Sequence, residues 1–304
     1  MEQPLVSVFT CVYNRKDKIH RVFESMGALT YKNIEHIIVD DGSTDGVMPL
    51  LLAYKEKAGY PVFIFKKENG GKHTATNLAW DNCHGDFIIQ LDSDDMLLPF
   101  SVEHLVDLWN KIPEEKKSEY WCVQGRCCTQ FSDEMIGPPN PEGINEDGFS
   151  WNGVALEGER VGLMRASVLK DYRYPEPKGV KFVKEAVVWN PLNEKYRTWY
   201  TDEIMRRYFV NEGESLSKQR FSRQTITNKV WSCAYQVSVM DKYETKGMKA
   251  AAAYCLLYFH TNPVFRQNNS FFLKAGFKVK VLQLALLIPS LLAYLPVEVL
   301  LLKK

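Results

Sequence analysis

Ile34-Glu-His-Ile-Ile-Val-Asp-Asp-Gly-Ser-Thr-Asp45 is an apolar run that empties into carboxylates around a glycine turn, and Phe87-Ile-Ile-Gln-Leu-Asp-Ser-Asp-Asp95 repeats the plan. Each reads as a buried strand running into an acidic turn. Around them, short apolar runs alternate with stretches whose apolar residues recur at helical spacing. Strands are expected over 6–12, 34–39, 62–65 and 87–91, and helices over 15–28, 47–57 and 74–82. Four βα steps would then fill about the first hundred residues, the pattern of an α/β fold with a mostly parallel, Rossmann-like sheet flanked by helices. Beyond Pro99 the alternation weakens: a helix over 102–109, a strand over 121–131 and a Pro/Gly-rich loop over 137–148, long enough to be a lid or binding segment.

With 304 residues, 45% apolar and 12% aromatic, the chain has material for one large domain or two smaller ones, and disorder is excluded. Seven cysteines (Cys11, Cys83, Cys122, Cys127, Cys128, Cys233, Cys255) form no CxxC pair, so neither a disulfide framework nor a zinc site is signalled and a reducing compartment fits. The apolar residues 5–13 lack a basic leader, so they read as a strand, not a secretion signal. The formal charge of +1 hides an asymmetry: residues 215–304 hold 13 Lys+Arg against 3 Asp+Glu, leaving 25 against 34 in the body. A basic tail suits nucleic acid or an anionic lipid surface. Residues 281–302, whose only charge is Glu298, favour lipid, and no nucleic-acid partner is expected.

In open α/β sheets ligands bind outside the carboxyl ends of the strands, so the two acidic turns should face one crevice. Carboxylates repel phosphate unless a divalent cation lies between them, and Mg²⁺ or Mn²⁺ is commonly held by one or two carboxylates plus the substrate's own phosphate oxygens. The cluster therefore implies a metal-bound diphosphate. Alternation along an extended segment puts Asp92 and Asp94 on one side, with Ser93 between them. The competing reading is two ordinary Asp-rich turns or helix caps. A dinucleotide fold is excluded because Tyr13-Asn14-Arg15-Lys16 follows the first strand in place of a Gly-rich turn, and no GxxxxGK[ST] occurs.

Four ordered segments carry a family resemblance: Val6-Ser-Val-Phe-Thr-Cys-Val-Tyr-Asn-Arg15, Ile38-Val-Asp-Asp-Gly-Ser-Thr-Asp45, Asn69-Gly-Gly-Lys-His-Thr-Ala-Thr-Asn77 and Leu91-Asp-Ser-Asp-Asp95. Together they resemble glycosyltransferase family 2, of GT-A fold, strongly over residues 5–100, moderately to 217 and not beyond. The resemblance implies that Thr10, Tyr13 and Arg15 line a nucleotide pocket, that Asp40 and Asp41 hold the uracil or ribose edge, and that Asn69 and Lys72 border base or diphosphate. It makes Asp92-Ser93-Asp94 the DxD motif, with Asp94 and Asp92 toward the metal and Asp95 near the sugar. Local capping or turn support is the alternative for Thr10, Tyr13, Asn69 and Lys72. An inverting catalytic base is matched to Glu185, in an element that looks like the family's acidic residue before a Trp-containing helix. Ala186 stands where a second acid often follows, so Asp171, Glu176 and Asp202 stay in reserve, and a helix-terminal role for Glu185 stays open. Ser215-Leu-Ser217 resembles a late family motif, and no QxxRW occurs, so transfer of one sugar per encounter is expected.

Domain organisation is expected as a nucleotide-sugar half (1–100), an acceptor half (101–217) and a basic, apolar helical tail (218–304). In the tail, 248–260 reads as an apolar helix, while 265–280 mixes phenylalanines with Arg266, Lys274, Lys278 and Lys280 as a membrane surface requires. Residues 281–302 are long enough to cross a hydrocarbon core, but Pro289 and Pro296 favour helices lying in the interface on the cytosolic face. An apolar homo-oligomer contact is the alternative. The expected activity is inverting, metal-dependent transfer of a hexose or N-acetylhexosamine, from a donor that is UDP-linked, to a hydroxyl of a lipid-linked or other glycan acceptor in surface-glycan assembly. The rivals are a nucleotidyltransferase, which would release pyrophosphate, and a catalytically silent membrane-docked subunit that binds nucleotide-sugar.

Overall fold

β1 (Val6–Val12) is built of β-branched and aromatic residues suited to a strand covered on both faces, and six of its seven residues are buried. In the computed structural model, which describes residues 3–141, 156–210 and 223–238, β1 pairs in parallel with β2 (Ile34–Asp40) on one side and β4 (Phe87–Gln90) on the other. β3 (Val62–Lys66) lies outside β2, again parallel. The spatial order β3-β2-β1-β4 means the chain reverses direction across the sheet at β1, which opens a crevice at the carboxyl ends of β1, β2 and β4.

Helices α1 (His20–Ala28), α2 (Met48–Lys57), α3 (Lys72–Asp81) and α4 (Ser101–Lys111) alternate with these strands. Their sequences already mark an inner face: α4 buries Val102, Leu105, Val106, Leu108 and Trp109, and α1 buries Val22 and Met26, spacings set by the helical period. Pro49 sits in the first turn of α2, where its missing N–H costs nothing. The core they enclose joins Val6, Val8, Ile38, Ile89 and Leu105, each without exposed surface.

Two expectations require correction. α1 begins at His20 and not at residue 15, because residues 15–19 form a turn in which the amides of Lys18 and Ile19 both donate to the Arg15 carbonyl, at 3.0 and 2.9 Å. The four expected βα steps are present, the fourth with the two-residue strand β5 (Met96–Leu97) between β4 and α4. The sheet is also mixed. β8 (Arg160–Arg165) joins β4 antiparallel, β6 (Tyr120–Thr129) joins β8 antiparallel, and β9 (Arg197–Tyr208) lies parallel to β6 and antiparallel to β5. β7 (Ser132–Met135) hairpins onto β6. β8 and β9 reach their neighbours from distant parts of the chain, and among these later pairings only β6–β9 is parallel. Arg126 on β6 has no exposed surface, and its guanidinium donates to the carbonyls of Glu157 (2.9 Å), Ile136 (3.0 Å) and Pro138, pinning both ends of the 137–158 connection.

The chain divides into two compact units. The first is residues 1–174 with 188–212 and holds the whole sheet; the second is residues 175–187 with 213–304. Within the first, α5 (Ala166–Leu169) follows β8, and Trp80, Tyr174 and Trp121 gather around Trp189 of α6 (Ala186–Lys195) with ring centroids 6.1, 6.3 and 5.4 Å away. Within the second, α7 (Arg223–Ser238) is tied to residues 179–186: the Asn228 side-chain oxygen accepts the Lys181 amide at 2.8 Å, Gln224 donates to the Gly179 carbonyl at 2.9 Å, and the Tyr235 hydroxyl donates to the Ala186 carbonyl at 3.2 Å. Among the described residues no helix is long and apolar enough to cross a membrane. The segments expected at 248–260, 265–280 and 281–302, and residues 142–148 of the expected loop, lie outside the described residues.

Candidate active site

Three loops at the carboxyl ends of β1, β2 and β4 are stitched together by side chains the sequence places at their tips. Asn14 takes a positive φ of 52° after β1, a conformation Asn tolerates. Its amide donates to Ser43 Oγ (3.0 Å), its side-chain oxygen accepts the Thr44 amide (2.8 Å), and Lys16 N donates to Asp45 Oδ2 (2.7 Å). The loops after β1 and β2 therefore share one hydrogen-bonded seam.

Asp40 and Asp41 are both buried. Asp40 Oδ1 accepts the Ser43 amide at 2.9 Å and shapes its own turn. Asp41 reaches across to the segment preceding α3: Oδ1 accepts from Lys67 Nζ (2.8 Å) and the Gly70 amide (2.9 Å), and Oδ2 from the Gly71 amide (2.8 Å). Gly71 has φ +97°, and a Cβ on Gly42, at φ +77°, would lie 2.7 Å from Asn69 N. Backbone meets backbone here, so glycine is required. One residue beyond Gly71, at the first position of α3, Lys72 Nζ lies 2.8 Å from Asp92 Oδ1. The run Asp41–Gly71–Lys72–Asp92 thus spans from one acidic turn to the other.

In the second turn, Gln90 also donates to Asp92 Oδ1 at 3.2 Å, and Arg15 Nε lies 3.7 Å from Asp94 Oδ2. Asp95 has no exposed surface; its Oδ1 accepts the Phe209 amide at 3.1 Å and its Oδ2 faces Arg206 Nε at 3.6 Å. Burial pushes the Asp95 carboxyl up to about 7, with Asp92 adding to the rise and Arg206 opposing it. For Asp92 burial also acts upward, but the Lys72 ammonium and the Arg206 guanidinium outweigh it and hold the group down at about 2. Cys11, beneath Lys72, is driven up to about 12 by burial and is no thiolate at neutral pH.

The structure thus brings together Arg15, Asp40, Asp41, Asn69, Lys72, Asp92, Ser93, Asp94 and Asp95. Tyr13 stands at the rim with 46% of its surface exposed. Thr10 departs from the expectation of a pocket-lining residue: it has no exposed surface, and its hydroxyl is 3.0 Å from His36 Nε2, within a buried chain running through Tyr54 to Tyr60. Strand alternation turns it inward. Glu185 is exposed and belongs to the second unit, immediately before α6; Glu176 lies in that unit too. Asp171 is exposed in the first unit, and Asp202 on β9 accepts the Asn140 amide at 2.9 Å. Sequence reading passed over Lys67, Arg21, Arg206 and Phe209. Lys67 carried a signal, a lysine two residues after the end of a strand's apolar run; the others come from distant elements.

Asp92 and Asp94 offer hard carboxylate oxygens, and among the described residues no set of three His, Cys, Asp or Glu side chains is gathered to cage a cation. That donor set fits Mg²⁺ or Mn²⁺, which keep few protein ligands and take phosphate oxygens and water for the rest.

An open sheet reversing at β1, extended by antiparallel strands and edged with carboxylates, has the GT-A glycosyltransferase fold. It superposes with TM-score 0.56 on the Staphylococcus aureus protein TarS, solved with UDP-GlcNAc, at 16% identity over 95% of this chain and 81% of that one. A mannosyltransferase from Pyrobaculum calidifontis, solved with GDP-Man and Mn²⁺, gives 0.56 at 15% identity over 97% and 88%. Residues 7–115 match the model of glycosyl transferase family 2, and the chain carries a domain of that family. Among sequence relatives, an uncharacterized glycosyltransferase of Rickettsia conorii is 40% identical over 74% of this chain and 35% of its own length. A putative teichuronic acid biosynthesis glycosyltransferase of Bacillus subtilis is 26% identical over 73% and 86%. The match spans 33% of the length of the Rickettsia typhi relative.

Proposed function

We propose that this chain is an inverting, metal-dependent glycosyltransferase that moves one sugar from a nucleotide diphosphate donor, UDP-linked, to a hydroxyl of a lipid-linked or other glycan acceptor in surface-glycan biosynthesis. The observation that carries the reading is the pair of acidic turns at the ends of β2 and β4, joined through Gly71 and Lys72 and bordered by Arg15. The TarS complex with UDP-GlcNAc, the mannosyltransferase complex with Mn²⁺ and the teichuronic acid relative support donor, metal and setting respectively.

In this reading Tyr13 and Asn69 border the base, Asp40 and Asp41 shape the ribose edge, and Arg15 and Lys72 turn their cations toward the diphosphate. Asp94, with Asp92, would hold Mn²⁺ or Mg²⁺, which offsets charge on the departing diphosphate. Glu185 takes the proton of the acceptor hydroxyl as that oxygen bonds to the anomeric carbon. The tail, 218–304, docks on the cytosolic face of a membrane through lysines and apolar residues.

The test is a panel of UDP- and GDP-sugars with Mn²⁺ or Mg²⁺, scored by the phosphate product. Release of nucleoside diphosphate that stops on chelation is expected. Pyrophosphate release would identify a nucleotidyltransferase instead, and binding without turnover a silent subunit.

A further inference from the structure

We propose that Arg21 of α1 and Arg206 of β9 are positioning residues that clamp the Asp92–Asp95 turn from two sides and so set the aim of its carboxylates. The inference rests on the proposed function, which places the metal at this turn.

Three carboxylates within four residues repel one another, and a turn of that composition needs outside help to keep one shape. Internally the turn has one closing bond, Asp95 N to the Asp92 carbonyl at 3.1 Å. Everything else comes from elsewhere in the chain. Arg206, itself 5% exposed, faces the buried Asp95 carboxylate at 3.6 Å and is held by Cys127 Sγ (3.3 Å) and Glu159 (3.6 Å). Arg21 Nη1 donates to the Asp94 carbonyl at 3.4 Å, and its guanidinium carbon lies 3.9 Å from the centre of the Phe209 ring. Phe209 in turn donates its amide to Asp95 Oδ1. Arg21, Phe209, Asp95 and Asp94 therefore form a closed circuit, with α1 and the end of β9 each gripping the peptide that carries the metal-facing residue. Asp95, matched by resemblance to the sugar, acts here as an inward anchor.

Partners behind a metal ligand typically govern affinity by 10- to 100-fold. Arg21 is half-buried on a surface helix, so Arg21→Leu should fold. Mn²⁺ binding is read from loss of the free-ion electron paramagnetic resonance signal, with UDP and then GDP present, beside thermal melting. Arg21→Leu should weaken Mn²⁺ by about tenfold or more with melting within a few degrees of wild type, and Arg21→Lys, which keeps a cation over the ring, should recover part of the loss. Arg206→Met strands Asp95 without its cation, so the paired variant Arg206→Met/Asp95→Asn is used, and it should fold yet bind Mn²⁺ more weakly. Arg21→Leu binding within twofold of wild type would overturn the clamp, as would a loss that follows a collapsed melting point and resists Arg21→Lys. Wild-type protein that takes no Mn²⁺ with either nucleotide would overturn the proposed function and the clamp together.

Discussion

Replacing Asp41 by Asn tests whether the link between the two acidic turns is structural. Its carboxylate, with 4% side-chain exposure, takes three donors: Lys67 Nζ, Gly70 N and Gly71 N. An amide keeps one accepting oxygen and turns an N–H₂ toward the others. The variant loses a charge-assisted bond, about 1.5–3 kcal/mol, and leaves a buried N–H facing a donor, about 1–3 kcal/mol more. Lys67 is only 23% exposed, so water repairs little of this. A total near 4 kcal/mol lowers the melting point by roughly 10 °C for a unit of this size. Thermal unfolding of Asp41→Asn, Lys67→Met and the double variant gives the pair's coupling, expected at about 1–3 kcal/mol. Melting of Asp41→Asn within about 2 °C of wild type, or additive effects in the double variant, would refute the reasoning and make Asp41 a pure ligand contact.

Asp94→Asn should lower metal-dependent nucleoside diphosphate release by at least about a hundredfold with little change in melting, since the side chain is partly exposed; retained activity would contradict the assigned metal role. A Cβ on Gly27 of α1 meets nothing within 4 Å, so Gly27→Ala should stabilise by about 0.4–1 kcal/mol in urea unfolding. Gly42→Ala should do the reverse, by about 1–3 kcal/mol, because φ is +77° and Asn69 N is 2.7 Å away. Burial pulls His36 down to about 3, so between there and the ordinary value near 6.5 the unfolded chain binds a proton the folded one refuses. This contribution to stability is complete above about pH 6.5 and drains away as pH falls toward 3; His36→Gln should flatten the stability curve in that window by one proton, as read from denaturant titrations at pH 4.5 and 7.

The strands β1, β2 and β4, and the acidic ends of β2 and β4, were legible because covered parallel strands read as continuous apolar runs and Asp punctuates two of them. Of the later strands β6 was legible, expected over 121–131 and found at Tyr120–Thr129, whereas β8 and β9 were not. β6 buries Arg126 and three cysteines among its apolar residues, and β9, Arg-Thr-Trp-Tyr-Thr-Asp-Glu-Ile-Met-Arg-Arg-Tyr, has a polar composition that hides a twelve-residue strand. Their pairing rests on partners far along the chain, which no local period reports. The same distance hid Arg206 and Phe209, 111 and 114 residues from Asp95. Asp41 illustrates the intermediate case: its type and place were evident, while the loop it holds was not.

The boundary between the parallel strands and the rest is narrow. β4 meets β8 through three register pairs, Phe87 with Arg165 to Ile89 with Leu163, and β5 meets β9 through two. The two portions are therefore joined less by backbone pairing than by side chains: one hydrophobic core runs from Val6 and Ile38 to Leu163 and Met205, and both portions belong to one compact unit. The family model ends at residue 115, just after α4 and before β6, so the match stops short of strands that complete the same core.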